Sequence, residues 1–453
     1  MKQKIPTVII TGAGLGGLSF YHALIKNKDK KEFNVKIFER ESGPQDRWQG
    51  YHIGINNFGA RSLINCLPSS VASNLPKGMP NPIPDIECHG FSLTDHTGSL
   101  LLKPPSKQFE DVYGVANSTS FSAIITYRDR LRDVLLEDVP VQWGKKCIGY
   151  EETEEGVWVF FEDGSKEFCD ILVGADGINS PVRKQKVPEL QIFYFGITQI
   201  NADVAVPKSL IDRLIEINGN CLFQKTLGLN GDVTFVIYRL IPIEQEQENK
   251  NEPHYRASLA FSYPTKLDDN EKIEVDDNNP GSVIDHVKYM IRKLRPECDL
   301  TNVMLELWSL VPRTVPDPKK HPFKTYNPVQ RRQMQDINPL SVNAWKSSRV
   351  TLLGDAAHAM SPVLGLGANN AIQDADVLSQ ALVNYSPENY LSCIKEYENE
   401  MLKRTSADVL KSRNSTLRQS SPVGYFGTIF RNNIMRAVNF VMNTFDYDFF
   451  SRK

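Results

Sequence analysis

No two of the seven cysteines form a C-x-x-C pair. Cys66, Cys88, Cys147, Cys169, Cys221, Cys298 and Cys393 are odd in number and far apart, which excludes a zinc ribbon and a disulfide framework. Reduced thiols in an intracellular, cytoplasmic protein are the expectation that follows. The eight histidines include no H-E-x-x-H, so no metal site is expected. Basic residues number 52 and acidic residues 54, a net charge of -2, which offers nucleic acid no basic field. No stretch of about 18 uncharged apolar residues occurs, so no bilayer-spanning helix is expected. The run Pro6–Thr11 leads straight into a glycine motif; a cleaved leader would remove the first strand, and none is expected. Internal repeats are absent as well.

The chain does have length, 453 residues, enough for two compact domains. Its opening reads as strand, glycine turn, helix, strand. A strand-like run at Gly90–Leu102 follows, then a helix at Arg128–Leu136 and a hairpin-like pair at Val157–Phe161 and Lys166–Val173. From Ile192 to Leu310 strands predominate: Cys221–Phe223, Thr234–Leu240, Ala257–Tyr263 and Met304–Leu310, interrupted by a charged loop at Glu244–Glu252. A strand and turn return at Arg349–Asp355, followed by a helix at Asn370–Tyr385. The expected fold is α/β. Residues 1–75, 120–190 and 345–405 form a discontinuous Rossmann-like nucleotide domain, and 76–119 with 191–344 form an inserted mixed β-sheet domain. Residues 406–453 form a C-terminal helical segment. There Phe426, Ile429, Phe430, Ile434, Ala437, Val438 and Val441 recur at helical spacing, which predicts a helix docked on the body or, alternatively, in peripheral contact with a membrane.

Gly12-Ala13-Gly14-Leu15-Gly16-Gly17 fits G-x-G-x-x-G, after an apolar strand and before a helix at Leu18–Ile25. Gly12 allows the tight turn, Gly14 lets a pyrophosphate approach the backbone, and Gly17 lets helix and strand pack closely. The helix N-terminus turns unpaired N–H groups toward the phosphates. The next strand, Asn34–Phe38, ends at Glu39, where a carboxylate can accept hydrogen bonds from an adenosine ribose. That carboxylate repels the 2′-phosphate of NADP, an effect weakened by Arg40 beside it. FAD and NAD both fit this motif.

Two later segments choose between them. One is Gly174-Ala175-Asp176-Gly177-Ile178-Asn179-Ser180-Pro181-Val182-Arg183. The other is Gly354-Asp355-Ala356-Ala357-His358, followed by Pro362, Gly365, Gly367, Asn369 and Asp374. Arg128-x-x-Leu131-x-x-x-Leu135 lies between the glycine motif and the first of them. In this order and spacing the chain resembles the class A, single-component FAD-dependent monooxygenases related to para-hydroxybenzoate hydroxylase, with their "DG" and "GD" segments. The resemblance frames the chain up to about residue 385.

It implies non-covalent FAD, NADPH or NADH as co-substrate, and insertion of one oxygen atom of O2 into a small molecule through a flavin C4a-hydroperoxide. The DG segment, Asp176 and Gly177, would serve both FAD and NAD(P)H. Asp355, after Gly354, would accept hydrogen bonds from the ribityl hydroxyls. The loop Gly365–Gly367 would lead into a helix whose first residues, Ala368 and Asn369 among them, present N–H groups to the flavin N1–C2=O edge, with Asn370 as cap. Leu366 departs from the family, which often has Gln there. Arg128 would reach the pyrophosphate. Arg47-Trp48-Gln49-Gly50-Tyr51-His52 resembles the family's R-x-x-G loop, which makes Arg47 and Gly50 cofactor contacts and His52 a weak candidate proton acceptor. His358 is expected to pack behind the site. The inserted sheet carries Phe193, Tyr194, Phe223, Phe235, Tyr238, Phe261, Tyr263 and Trp308; one of its faces would make an apolar pocket for an aromatic or polycyclic substrate, with most of these rings otherwise plain core. Other flavin enzymes of the same fold are the alternative, a halogenase (although W-x-W-x-I-P is absent) or a prenyl-lipid reductase. So is a non-catalytic carrier such as the Rab escort proteins, against which the intact DG and GD segments stand. An NAD-dependent dehydrogenase would leave both later segments unexplained.

Overall fold

The computed structural model describes residues 5–44, 46, 51–79, 88–105, 109–119, 122–230, 233–242, 254–271, 274–314, 329–343 and 345–445. The charged loop at Glu244–Glu252 lies outside them. Its strands in chain order are β1 Thr7–Thr11, β2 Asn34–Phe38, β3 His52–Asn56, β4 Cys88–Thr94, β5 Leu100–Leu102, β6 Ala123–Tyr127, β7 Val141–Gln142, β8 Cys147–Glu152 and β9 Val157–Phe161. Then come β10 Lys166–Cys169, β11 Ile171–Gly174, β12 Phe193–Pro207, β13 Cys221–Leu227, β14 Thr234–Pro242, β15 His254–Pro264, β16 Gln330–Asp336 and β17 Val350–Leu352. The helices that matter below are α1 Leu15–Lys26, α2 Asn57–Cys66, α3 Arg128–Leu136, α4 Lys208–Asn218, α5 Pro280–Leu294, α6 Asp299–Ser309, α7 Gly367–Leu382, α8 Tyr390–Ser420 and α9 Gly424–Phe445.

A five-stranded parallel sheet, in the order β17-β11-β1-β2-β7, forms the first layer. Val8, Ile9 and Ile10 are wholly buried, as a central parallel strand covered on both faces requires. Ile9 lies opposite Leu172, and Leu172 opposite Val350. Three strands from distant parts of the chain therefore end side by side, at Thr11, Gly174 and Leu352. In a sheet of this kind ligands bind beyond the carboxyl ends of the strands, and here those ends carry the three motifs.

The second layer is a seven-stranded mixed sheet, in the order β16-β12-β15-β14-β13-β4-β5. Along β12, Ile200, Ala202 and Val204 are buried on one face while Gln199, Asn201 and Asp203 take the other. The first face packs against α4, α5 and α6 in a core that includes Phe235, Phe261 and Trp308. The two-stranded ribbon of β3 and β6 pairs His52 with Tyr127.

Several expectations need correction. Met304–Leu310 is helical, within α6, where Leu300, Val303, Met304 and Leu307 bury one face; a short apolar run is ambiguous in period, and neighbouring Leu300 and Val303 decide it. The run Lys166–Val173 is two strands. Asp170 breaks it, its carboxylate accepting from Thr7 N at 2.7 Å and its own N–H donating to Thr7 O at 2.9 Å, so β10 stays in the hairpin while β11 enters the parallel sheet. α7 begins at Gly367, so Asn370 lies inside it and caps nothing: its amide donates to Asp408 and accepts from Arg404. α8 runs unbroken from Tyr390 to Ser420, and the boundary expected at 405–406 falls within that helix.

The C-terminal helix α9 docks on the body with a mixed side, on which Thr428, Asn432 and Met442 are buried. Thr428 donates to Leu229 O at 3.1 Å, Asn439 accepts from Lys103 N at 2.6 Å, and Asn443 donates to Lys103 O at 3.1 Å. Phe426 (84% exposed), Phe430 (70%) and Phe440 (67%) turn outward. Helical periodicity reveals two faces without revealing which of them meets the protein. Among the described residues no helix is long and apolar enough to cross a membrane.

Candidate active site

The turn after β1 is built by glycines that no other residue can replace at two points. Gly12 sits at φ +108, where a Cβ would lie 2.3 Å from Ala175 O, and a Cβ on Gly17 would lie 2.1 Å from Gly12 O. Gly14 is different. Its nearest neighbour would be the Arg128 guanidinium at 3.9 Å, so the missing side chain leaves open space rather than relieving a clash. Gly14 also stands at the N-cap of α1 without a side-chain cap, leaving the first turn's N–H groups to a ligand. Gly12 and Gly17 are therefore required by close backbone approach, and Gly14 by neither a clash nor a positive φ.

Glu39 closes β2 and is already partly engaged. Its Oε2 accepts from Ala13 N at 2.7 Å, which pins the glycine turn, and its Oε1 accepts from Glu41 N at 3.3 Å. Arg132, which the sequence reading passed over, holds the same turn: Nε donates to Ala13 O at 2.9 Å, Nη1 to Pro44 O at 3.1 Å, and Nη2 pairs with Glu41 at 3.2 Å. The signal was available, because Arg132 lies four residues after Arg128 and on the same side of α3. Arg128 makes no ion pair among the described residues; its guanidinium lies 5.7 Å from the Tyr51 ring.

Beyond β11, Asp176 is half-buried, with both carboxylate oxygens out of solvent and neither with a partner in hydrogen-bond geometry. Burial raises its pKa to about 6, against the opposing pull of the Ser180 hydroxyl and the Arg40 and Arg183 charges. Gly177 follows at φ +82 in open space. Ser180 caps the next helical turn, accepting from Arg183 N at 3.0 Å. Arg183 does not project into the site but is buried, donating to Ile178 O at 2.5 Å and Ala356 O at 3.5 Å, so it ties the DG segment to the GD segment.

Beyond β17, Gly354 adopts φ +63 and donates its N–H to Asp374 Oδ2 at 2.9 Å. Asp355 is exposed toward the cavity and forms no hydrogen bond among the described residues. Gly365, at φ +62, turns the loop into α7, whose N-cap Leu366 supplies no side-chain cap. Asn369 serves the protein itself: Oδ1 accepts from Asn56 N at 3.0 Å, and Nδ2 donates to Gly54 O and Gly365 O, both at 2.8 Å. It clamps β3 to the start of α7. His358 is buried behind the site and bonded to Asp374 at 2.5 Å.

A single cavity of about 2090 Å³ joins these parts. Gly12, Gly14, Glu39, Arg40 and Arg128 line it, as do Asp176, Gly177, Asp355 and Gly365. Gly17, Gly354, Gly367, Ala368 and Asn369 are not among its lining residues. Arg47 and Gly50 lie outside the described residues. His52 lines the cavity too, with Nδ1 3.2 Å from Ser258 Oγ, which donates to Asp203 at 2.5 Å. Burial, then the charges of Arg256 and Arg130, hold its pKa well below the usual histidine range. His52 is therefore a neutral hydrogen-bonding group at neutral pH and a poor proton acceptor.

Of the rings expected to form the pocket, only Phe223 lines this cavity. Phe235, Phe261, Tyr263 and Trp308 are core under the helices, Phe193 and Tyr194 are exposed, and the Tyr238 side chain lies outside what is described. The face that opens on the cavity is the opposite one, carrying Gln199, Asn201, Ser258, Ser262, Val236 and Phe223.

A glycine turn open at Gly14, a free carboxylate at Asp355 and a partnerless one at Asp176, all beyond the ends of one parallel sheet, fit a flavin adenine dinucleotide. The fold and site define an FAD-binding oxidoreductase. A family model described as "FAD binding domain" matches residues 319–411. The FAD-dependent monooxygenase thnD of Trichoderma harzianum is 27% identical over 425 residues, covering 90% of this chain and 92% of that protein. The fold is shared with HpxO of Klebsiella pneumoniae, solved in complex with FAD and uric acid, at a TM-score of 0.67 and 21% identity over 97% of this chain and 95% of that one. It is shared also with a salicylate hydroxylase substrate complex, at 0.65 and 19% over 98% and 96%. Along nine-tenths of its length the chain is thus similar to FAD-dependent monooxygenases, the class of enzyme that its DG and GD segments resemble.

Two outcomes follow for the carboxylates. Asp355→Ala is expected to weaken FAD binding roughly 10- to 150-fold, the worth of about 1.5–3 kcal/mol for hydrogen bonds to a charged acceptor. Fluorescence titration of the FAD-free protein with FAD measures it, and an unchanged affinity would give Asp355 another role. Asp176 is a titrating group with a raised folded-state pKa. Its contribution to stability is complete below the unfolded value of about 3.9 and is lost as pH rises through about 6. Asp176→Asn, neutral throughout, should therefore make the FAD-free protein more stable than wild type above about pH 6, by up to about 3 kcal/mol, with the advantage gone below about pH 4. Denaturant unfolding across that range tests it; a variant less stable than wild type at neutral pH refutes the assignment.

Proposed function

We propose that the protein is an NAD(P)H-dependent monooxygenase that inserts one oxygen atom of O2 into an aromatic or polycyclic small molecule, the other atom leaving as water. One observation carries this reading: the cavity is continuous from the glycine turn and Asp355 to the open face of the seven-stranded sheet. Its volume, about 2090 Å³, exceeds the roughly 300–1,000 Å³ of a usual small-molecule site, which leaves room for a dinucleotide and a separate substrate. At the sheet end Phe91 and Phe223, with ring centroids 6.4 Å apart, stand beside Leu93, Leu227 and Val236. A flat ring system can stack and bury there. The uric acid held by HpxO is likewise a ring compound.

Bound FAD supplies hydride acceptance and activation of dioxygen. The chain's part is to hold and enclose it. Asp355 would accept from the ribityl hydroxyls, and Arg128 would neutralise the pyrophosphate. The uncapped start of α7 turns the positive end of its dipole toward the cavity, which favours a reduced, anionic flavin. His52, neutral and hydrogen-bonded to Ser258, fixes the wall between the two sheets.

The test is anaerobic reduction of the bound flavin by NADH or NADPH, followed by admission of isotopically labelled dioxygen with a panel of phenolic and polycyclic compounds. Label in a product supports the proposal. Flavin that neither nicotinamide nucleotide reduces, or turnover that yields only peroxide with every ring compound, overturns it.

A further inference from the structure

The sheet end of the cavity carries positive charge that the protein does not balance. Lys225, in the middle of β13, points into the cavity between Phe223 and Leu227, with Leu93 and Val236 as its register partners on the adjoining strands. Its ammonium donates to Gln419 Oε1 at the end of α8. Arg418 lines the cavity one residue earlier, and Arg431 lines it from α9. α9 is held at this end by hydrogen bonds from Val423 N to Asn230 O at 3.0 Å and from Thr428 to Leu229 O, in the turn after β13. None of the three cations forms an ion pair among the described residues; Arg431 donates only to its neighbour Asn432, at 3.2 and 3.3 Å. The carboxylates that line the cavity are elsewhere or already used: Glu39, Glu41, Asp176 and Asp355 belong to the nucleotide end, and Asp203 is paired with Arg256 at 2.7 Å.

A lysine half-withdrawn from water, set among apolar side chains and given one neutral acceptor, carries a desolvation penalty that no counter-charge offsets. Burial accordingly draws the Lys225 pKa down to about 8, and it lowers that of Arg431 as well. A ligand that brings a negative oxygen to this spot removes the penalty; a neutral ligand of the same shape does not.

We propose that the substrate is an organic acid whose anionic oxygen, a carboxylate, phenolate or enolate, is held by Lys225 and Arg431 while its ring system lies along Phe91 and Phe223. This rests on reading the sheet end as the substrate site. It orients the substrate, placing the charged edge at α9 and the opposite edge toward the nucleotide end. A nicotinamide dinucleotide also carries anionic oxygens, so the test must tell the two apart.

The experiment uses the FAD-loaded protein and titrates it with naphthoate and, separately, with naphthamide, following the flavin absorbance change and the heat of binding. The same titrations are run on Lys225→Met, Lys225→Arg and Arg431→Gln, each checked for flavin content and unfolding temperature. Wild type should bind naphthoate about 10-fold or more tightly than naphthamide, the worth of hydrogen bonds to a charged partner. Lys225→Met and Arg431→Gln should each reduce that preference, and Lys225→Arg should retain it. Equal affinity for acid and amide in wild type overturns the proposal, as does an unchanged preference in both charge-removing variants. A raised KM for NADH or NADPH in those variants, with acid binding intact, assigns the cations to the nicotinamide dinucleotide instead. Because binding is read without turnover, a retained acid preference in a protein that oxygenates nothing would overturn the monooxygenase reading and leave the anion site standing.

Discussion

Gly12→Ala is expected to leave no folded protein that holds FAD. Two penalties act at this position and neither can relax. The backbone sits at φ +108, a region that a residue with a Cβ enters at a cost of about 1–2 kcal/mol. The new methyl would stand 2.3 Å from Ala175 O and 2.7 Å from its carbonyl carbon. Both are backbone atoms, and the Ala175 N–H is committed to Thr11 O at 2.8 Å, at the junction of β1 and β11. Moving them means parting the two strands whose ends carry the glycine turn and the DG segment. Overpacking adds about 1–3 kcal/mol in a core that can shift, and more where backbone is the obstacle. Against a net stability of about 5–15 kcal/mol, the sum is severe. Gly177→Ala is the matched control. It has φ +82, yet nothing lies within 4 Å of the new Cβ, so it should lose only the conformational part, about 1–2 kcal/mol, and still bind flavin. The measurements are the flavin-to-protein ratio and the unfolding temperature. A Gly12→Ala protein that is yellow and melts like wild type would show that the turn has a second conformation.

That contrast also shows how far the sequence could be read. The order strand, glycine, acid identifies β1, β2 and the three motif turns, because a parallel sheet requires continuous apolar runs, and each run ends where the chain must leave the sheet. β2 and α3 fall on Asn34–Phe38 and Arg128–Leu136 as expected. What could not be read is the choice between two equivalent faces. β15 alternates Ser258, Ala260 and Ser262 with Ala257, Leu259 and Phe261, and only the packing of α4, α5 and α6 decides that the second set is core. The same indeterminacy holds for α9, where Thr428, the asparagines and Met442 meet the body while Phe426, Phe430 and Phe440 turn outward. Arg132, Arg183 and Asn369 illustrate a further limit. Each is polar and lies in or beside a motif, but each spends its hydrogen bonds on protein carbonyls and amides that come together only in the folded chain.

Asp374→Asn is expected to destabilise the protein by about 3–5 kcal/mol and to weaken FAD binding as well, although Asp374 is not among the residues that line the cavity. The carboxylate is completely buried in α7. Oδ2 accepts from Gly354 N at 2.9 Å and His358 Nε2 at 2.5 Å, and Oδ1 accepts from Arg404 at 2.7 Å. Arg404 in turn pairs with Glu400 at 2.8 Å and donates to Asn370 at 2.5 Å. Burial alone would raise the Asp374 pKa, but the charges and hydrogen bonds of His358 and Arg404 outweigh it and bring it down to about 2. A depressed folded-state pKa stabilises above the unfolded value, about 3.9, and that stabilisation is lost as pH falls through about 2. An amide keeps the shape, removes the charge, and offers a donor where two donors already converge, so His358 is left buried and poorly paired and Arg404 loses one of its two carboxylates. The Gly354 N–H loses its acceptor at the same time, and with it the φ +63 turn that aims Asp355 loses its anchor. The variant is thus distinguishable from Asp355→Ala, which should lose flavin affinity while the FAD-free protein melts as wild type does. For Asp374→Asn the loss of stability in the FAD-free protein should be full at neutral pH and should narrow as acid protonates the wild-type carboxylate. Equal denaturation midpoints for Asp374→Asn and wild type at neutral pH would mean that the buried network contributes nothing, and that Asp355 is positioned by the loop alone.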